Sequence, residues 1–137
     1  EVITRSSGQP VRASTDIFVA DSMGELVAFY LASHVAFVGG SFAPSGGHNM
    51  IEPIACQVAT VVGPSCFNFD YICSSLLKAG ALIQVRDKKE LADSLCVLLN
   101  DQSLRDQLQD GALGVLQDNR GALDKITDAV SRAISCK

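Results

Sequence analysis

The chain has no tryptophan, 6% aromatic residues and two histidines in 137 residues. It has no Cys-x-x-Cys pair and no Asp-x-Asp triplet. No uninterrupted apolar run approaches the ~20 residues of a membrane-spanning helix, so no such span is expected. The five cysteines, Cys56, Cys66, Cys73, Cys96 and Cys136, are odd in number, which does not suit a disulfide framework. Together with His34 and His48 they match no common zinc spacing, and they read as small buried hydrophobes of a reducing cytosol. Positive charge is scarce: 11 Lys and Arg against 15 Asp and Glu give a net charge of −4, which argues against a nucleic-acid partner. There is no initiator methionine or targeting segment, and the chain opens inside an apparent strand at Val2-Ile3, so a piece of a longer protein is expected. The composition, 47% hydrophobic and 19% charged, describes one soluble globular domain with a single core.

What is present is a concentration of glycine. The stretch Gly39-Gly40-Ser41-Phe42-Ala43-Pro44-Ser45-Gly46-Gly47-His48-Asn49-Met50-Ile51-Glu52-Pro53 follows the apolar run 35–38 and leads into an apolar segment from Met50 to Val58. That is the pattern of strand, glycine-rich loop and helix start. Four glycines within residues 39–47 let the backbone approach a ligand where a Cβ would hinder it. A helix beginning near Asn49 turns its unpaired N–H groups and the positive end of its dipole toward the loop, where an anion such as phosphate is stabilised. Asn49 with Glu52 three residues on fits an N-cap and capping box. Pro53 supports a start here, but with Asn49 as cap it falls where the first intrahelical donor belongs. Met50 is the alternative cap, and it leaves Glu52 freer to bind a ligand.

The rest of the chain reads as alternating strands and helices. Strands are expected at 2–6, 16–20, 35–39, 60–62 and 81–85. Between them fall a helix with Leu26, Phe29, Tyr30 and Ala32 on its apolar face, the helix after the glycine loop, and one carrying Ile72, Leu76 and Leu77 that Asn68 caps and Gly80 ends. Asp87 with Glu90 repeats the capping-box pattern before a helix with Leu91, Leu95, Leu98 and Leu99 on one face. Helical segments at 103–118 and 122–135 follow, and Lys88 and Lys89 read as a solvated face. Continuous apolarity in strands that alternate with helices predicts βαβ units and a Rossmann-like parallel sheet flanked by helices. The loops at 21–25, 39–49 and 63–68 all follow strands and so gather at the edge where such sheets bind ligands.

Continued through Ala55, Val61-Val62-Gly63-Pro64 and Asn68-Phe69, the glycine stretch resembles the 3-deoxy-D-manno-octulosonic acid (Kdo) transferases of lipopolysaccharide synthesis, in which GGS-F-x-P-x-GGHN-x-x-EP is followed by GP and NF. The resemblance extends upstream through Arg5-Ser6, Asp21-Ser22-Met23-Gly24-Glu25-Leu26 and Phe29-Tyr30, and downstream to Asn119-Arg120-Gly121-Ala122. One departure lies at 56–59, where the family has a glycine and then a proline; Gln57 and Ala59 stand there, which bears on the helix C-cap.

The resemblance implies the C-terminal, donor-binding half of a GT-B glycosyltransferase over residues 1–137, lacking its first strands. It implies CMP-Kdo as donor, a lipid A precursor as acceptor, inverting transfer without metal or other cofactor, and a place at the cytoplasmic face of the bacterial inner membrane. The acceptor domain, its membrane contact and the catalytic base are expected on the N-terminal side, so no catalytic residue is expected here. For the donor, Glu52 is placed to accept the ribose hydroxyls, and His48 to donate to phosphate or sugar carboxylate. Ser41 offers a hydroxyl at a strand end, while Gly39, Gly40, Gly46, Gly47 and Asn49 shape the loop. Arg5 is expected to neutralise a phosphate or carboxylate, or else to be a surface charge. Met23, Gly24 and Glu25 are expected near the base or sugar, and Asn68 as a helix cap or donor-sugar contact. His34 reads as a structural histidine. Two other readings share these residues: a GT-B enzyme using a UDP-sugar, and a non-enzymatic α/β interaction module, since one fold hosts many functions.

Overall fold

The computed structural model describes residues 1–44 and 46–118. The helix expected at 122–135, the Asn119–Ala122 motif and Cys136 lie outside the described residues. The elements run β1 (Val2–Thr4), β2 (Ile17–Val19), α1 (Leu26–Leu31), β3 (Val35–Val38), α2 (Ile51–Ala55), β4 (Ala59–Val62), α3 (Asp70–Lys78), β5 (Ile83–Gln84), α4 (Lys88–Asn100) and α5 (Gln102–Asp118), with 3-10 turns at Arg5–Ser7 and Phe67–Phe69. The α/β alternation is as expected; β1, β2, β3 and β5 are shorter than the expected strands and β4 is one residue longer.

Every strand pairing is parallel, as expected, and the strands form two sheets, β1-β2 and β3-β4-β5. Among the described residues no ladder joins β1 or β2 to β3. β4 is the middle strand of three, and all four of its residues are buried. That burial is why it reads as a continuous apolar run instead of an alternating one. Successive residues point to opposite faces of a strand. Val62 accordingly joins a cluster with Val38, Met50, Ile54, Leu76 and Leu82, while Val61 joins Ala59, Val85, Leu98 and Leu108. α5 serves both clusters, with Leu104 and Leu108 in one and Ala112 and Val115 in the other. A Cβ at Gly111 would stand 2.6 Å from the carbonyl oxygen of Ala79, so this glycine is what lets α5 cross the end of α3.

The β1-β2 half is anchored differently. Among the residues of β1, β2 and α1 only Ile3 is buried, so the apolar face expected of α1 is half-open: Phe29 and Tyr30 are half-buried and Leu26 is exposed. Phe18 packs on Phe29 with ring centroids 5.7 Å apart.

Helix ends explain most boundaries. Asp87 caps α4, accepting from the backbone N–H of Lys89 at 2.8 Å and Glu90 at 2.9 Å. Glu90 completes no capping box with Asp87; its carboxylate accepts instead from the Arg86 N–H at 2.8 Å and from the Arg86 guanidinium. Leu99, expected inward, is exposed because α4 presents its Leu91-Leu95-Leu98 stripe to the sheet. Gly80, at φ 64°, ends α3 as expected, with Gly80 N–H donating to Leu77 and Ala81 N–H to Leu76. Asn68 does not cap α3: the preceding residue is Phe69, which gives no side-chain cap.

Candidate functional site

The loops after β2, β3 and β4 form the candidate site, and the glycines of the second are used first by the protein itself. The 63–68 segment lies on the 40–47 loop. Ser41 is fully buried between them: its hydroxyl donates to the Val38 carbonyl at 2.6 Å and accepts from Gly63 N–H at 2.8 Å, while its own carbonyl accepts from Ser65 N–H at 2.9 Å. The expectation that Ser41 reaches a phosphate is thereby corrected, because the hydroxyl is enclosed and doubly engaged. Gly46 and Gly47 hold φ of 85° and 71°, which β-carbon-bearing residues rarely adopt. An added Cβ at Gly46 would lie 2.7 Å from Asn68 Nδ2, and one at Gly47 would lie 3.1 Å from the Ser65 carbonyl. These two glycines admit a neighbouring loop where a ligand was expected, and Asn68 stands over Gly46 with its side chain exposed.

His48 folds back on the other pair. Its backbone N–H donates to Gly39 O at 3.1 Å, and its ring lies 3.2 Å from where a Gly40 Cβ would stand, leaving the imidazole exposed. Met50 occupies the N-cap position of α2, the second of the two alternatives. The capping oxygen nevertheless comes from Asn49: Oδ1 accepts from Ile51 N–H at 3.0 Å, while Nδ2 donates to Glu52 Oε1 at 3.1 Å. Pro53 then falls among the first-turn residues whose N–H groups have no intrahelical acceptor. Glu52 is exposed, and the Asn49 amide engages its Oε1. α2 is five residues long, so its dipole is small and the side chains carry more of the site than expected.

Arg5, Ser6, Asp21, Ser22 and Glu25 form a polar network at the first loop. Arg5 donates from Nη2 to Glu25 Oε1 at 3.0 Å, Ser22 donates to Glu25 Oε2 at 2.5 Å, and Ser6 donates to Asp21 from both backbone and hydroxyl. The Ser22 hydroxyl first, and Arg5 second, hold the Glu25 carboxyl below the usual carboxylate value. The Ser6 hydrogen bonds do the same for Asp21. A cavity of about 340 Å³ opens beside this network, lined by Ala20, Ser22, Met23, Gly24, Leu26 and Phe29. Burial, then the nearby Glu52 carboxylate, pushes the Tyr30 phenol up from its ordinary value.

A second cavity, about 600 Å³, lies between the 42–44 and 64–67 segments and α3. Cys66 and Cys73 are among its lining residues, and burial first and then Cys66 push the Cys73 thiol up to about 12. Such thiols are inert small hydrophobes, as expected; Cys96, by contrast, is exposed. His34 is exposed and not enclosed as a structural histidine would be. Among the described residues no cluster of three His, Cys, Asp or Glu side chains is placed to hold a metal, and no helix is long and apolar enough to cross a membrane.

Residues 6–113, which contain all three loops, match the glycosyl transferases group 1 family. The chain belongs to the group 1 glycosyl transferases. Within this glycosyl transferase family it is 36% identical to the 3-deoxy-D-manno-octulosonic acid transferase of Haemophilus influenzae over 93% of its own length, and 34% identical to that of Bordetella pertussis over 90%. It spans 30% and 29% of those two proteins. The C-terminal CMP-Kdo binding domain of WaaA from Acinetobacter baumannii superposes with a TM-score of 0.82 at 42% identity, covering 85% of this chain and 61% of that one. The Rossmann-like, GT-B C-terminal architecture expected from the sequence therefore holds for this glycosyl transferase. The network of Ser6, Asp21 and Ser22, and the influence of Glu52 on Tyr30, were not predicted from sequence. Only the short spacing of Asp21, Ser22 and Glu25 in a turn hinted at a local polar cluster.

Proposed function

We propose that this chain is the donor-binding part of a Kdo transferase, holding CMP-Kdo beyond the carboxyl ends of β2, β3 and β4 while an N-terminal domain of the same protein presents the lipid A precursor. The observation that carries this reading is the presentation of Glu52, an exposed carboxylate oriented by the Asn49 amide in the first turn of α2. A carboxylate held this way accepts hydrogen bonds from two adjacent ribose hydroxyls. His48, exposed over Gly39 and Gly40, donates to the phosphate or to the sugar carboxylate. Met23 and Gly24, on the wall of the smaller cavity, receive the base or sugar end. Asn49 acts through Glu52, Gly46 and Gly47 shape the loop, and Asn68 meets the donor sugar. The likeness to the Acinetobacter domain supports CMP-Kdo as the donor.

In the reaction so proposed, a carboxylate of the N-terminal domain takes the proton of an acceptor hydroxyl. The hydroxyl oxygen then bonds to the anomeric carbon with inversion, and the bond to CMP breaks with its electron pair leaving on the phosphate. Donors fixed around the 39–49 loop stabilise the charge that grows there. The whole protein acts at the cytoplasmic face of the inner membrane, with its membrane and acceptor contacts outside this domain.

An amide NMR titration with CMP, and with UMP in parallel, tests the reading on the wild-type chain and Glu52→Ala. CMP should shift residues 39–52 and the flanking loops more than UMP does, and Glu52→Ala should weaken CMP binding about tenfold or more, since hydrogen bonds to a charged group are lost. A preference for UMP would assign a uridine-linked donor instead; a folded spectrum unmoved by either nucleotide would sink the proposal.

A further inference from the structure

The expected task of Arg5 is to hold an anion, yet its guanidinium is already committed. Nε and Nη2 donate to Glu25 Oε1 at 3.3 and 3.0 Å, and the other Glu25 oxygen accepts from the Ser22 hydroxyl. The adjacent residue makes a parallel connection: Ser6 donates its backbone N–H to Asp21 Oδ1 at 2.8 Å and its hydroxyl to Asp21 Oδ2 at 2.5 Å. Both carboxylates bracketing Ser22-Met23-Gly24 are therefore fastened to Arg5-Ser6, at the end of β1. Those three residues form one wall of the 340 Å³ cavity. Core packing does not hold that wall, because Met23 is 96% exposed and Gly24 stands at φ 81° with nothing near its Cβ position. Its shape depends on the two fastenings. An anion brought to Arg5 would also meet the Glu25 carboxylate that Arg5 already neutralises.

We propose that Arg5 is a positioning residue and not a ligand contact: paired with Glu25, as Ser6 is with Asp21, it staples the 21–25 turn and sets the cavity that admits the nucleobase end of the nucleotide. This rests on the nucleotide-binding reading above. Ala20, Met23, Leu26 and Phe29 supply apolar surface for a planar ring, and Ser22 with the Met23-Gly24 backbone supplies the few polar atoms that read its edge. The phosphate, on this assignment, is held from the 39–49 loop alone.

Arg5→Ala, Glu25→Gln and the double variant, titrated with CMP and with cytidine, separate the two roles. A staple weakens nucleotide and nucleoside by the same factor, about threefold to tenfold for a partly exposed ion pair, and the double variant loses no more than either single one. The charge-swapped pair Arg5→Glu with Glu25→Arg should restore both affinities. If Arg5→Ala weakens CMP and leaves cytidine untouched, Arg5 holds the phosphate and the proposal is overturned. Ligand-free amide spectra decide the stapling independently. Arg5→Ala and Glu25→Gln must move the same amides at 22–24, and unmoved amides there overturn it. If neither ligand binds the wild type, the nucleotide reading fails while those spectra still judge the staple.

Discussion

Ser41 closes the ends of two strands at once, with its hydroxyl between the Val38 carbonyl of β3 and the Gly63 N–H after β4. Replacing it with alanine removes that bridge and leaves a buried N–H without its acceptor. Ser41→Ala should therefore cost ~1–3 kcal/mol in urea denaturation, with little change in CMP affinity for the folded protein. Undiminished stability would show that the 40–47 and 63–68 loops do not depend on it. The same pairing accounts for what was readable here. Asn49, Glu52 and His48 cluster within one local turn, so their types and spacing sufficed to place them together. Ser41, Gly46 and Gly47 face a segment about twenty residues further on, a contact that no local pattern encodes. Their chemistry was legible and their protein partner was not, so the close approach of the 63–68 segment to this loop was not foreseen. For the same reason a bulky residue at Gly47 meets the Ser65 carbonyl and should disturb loop packing as well as any binding.

Helix ends make the element scale readable, and α2 shows both the reach and the limit of that signal. Its C-terminus carries the same pair of hydrogen bonds as that of α3: Gln57 N–H to Ile54 at 2.9 Å and Val58 N–H to Pro53 at 3.0 Å. At α3 the left-handed position is Gly80, whereas at α2 it is Gln57, at φ 59°. The departure from the family glycine thus left the cap geometry intact and moved its cost into backbone strain. Gln57→Gly should relieve that strain, offset in part by the extra freedom glycine gives the unfolded chain, for a net gain of ~0.5–1 kcal/mol and a rise of ~2–4 °C in thermal midpoint. A lower midpoint would mean that the Gln57 side chain contributes more than its backbone costs. Where boundaries went unread, a tertiary contact decided. Asn68 was committed to the Gly46 loop before it could cap α3, and α4 turned Leu99 outward once Leu91, Leu95 and Leu98 had filled the sheet face.

On the scale of the whole molecule, apolar burial and polar fastening are divided between the two sheets. The two apolar clusters lie around β3, β4 and β5, where parallel strands are covered on both faces. β1, β2 and α1 contribute Ile3 as their buried residue and otherwise depend on the Phe18–Phe29 ring contact, Arg5 with Glu25, and Ser6 with Asp21. Apolar runs announced both sheets equally in the sequence, but a run gives neither its depth of burial nor its neighbours, so their separation was not legible. The division predicts how the protein yields to acid. Asp21 and Glu25 lie below their ordinary values of 3.8 and 4.5 because the folded state supplies donors to the carboxylates. Their contribution is complete above those ordinary values and is lost as pH falls through the lowered, folded-state ones, since the unfolded chain takes up protons first. Glu90 is lowered by Arg86 in the same sense, but α4 keeps its leucine stripe on the sheet when that pair is lost. Amide spectra followed from pH 7 to about 3 should therefore lose dispersion for residues 1–31 before residues 35–112. Simultaneous loss across the chain would mean that the β1-β2 half borrows its stability from the main core through α1 and α2, and that the carboxylates at its corner are not what holds it.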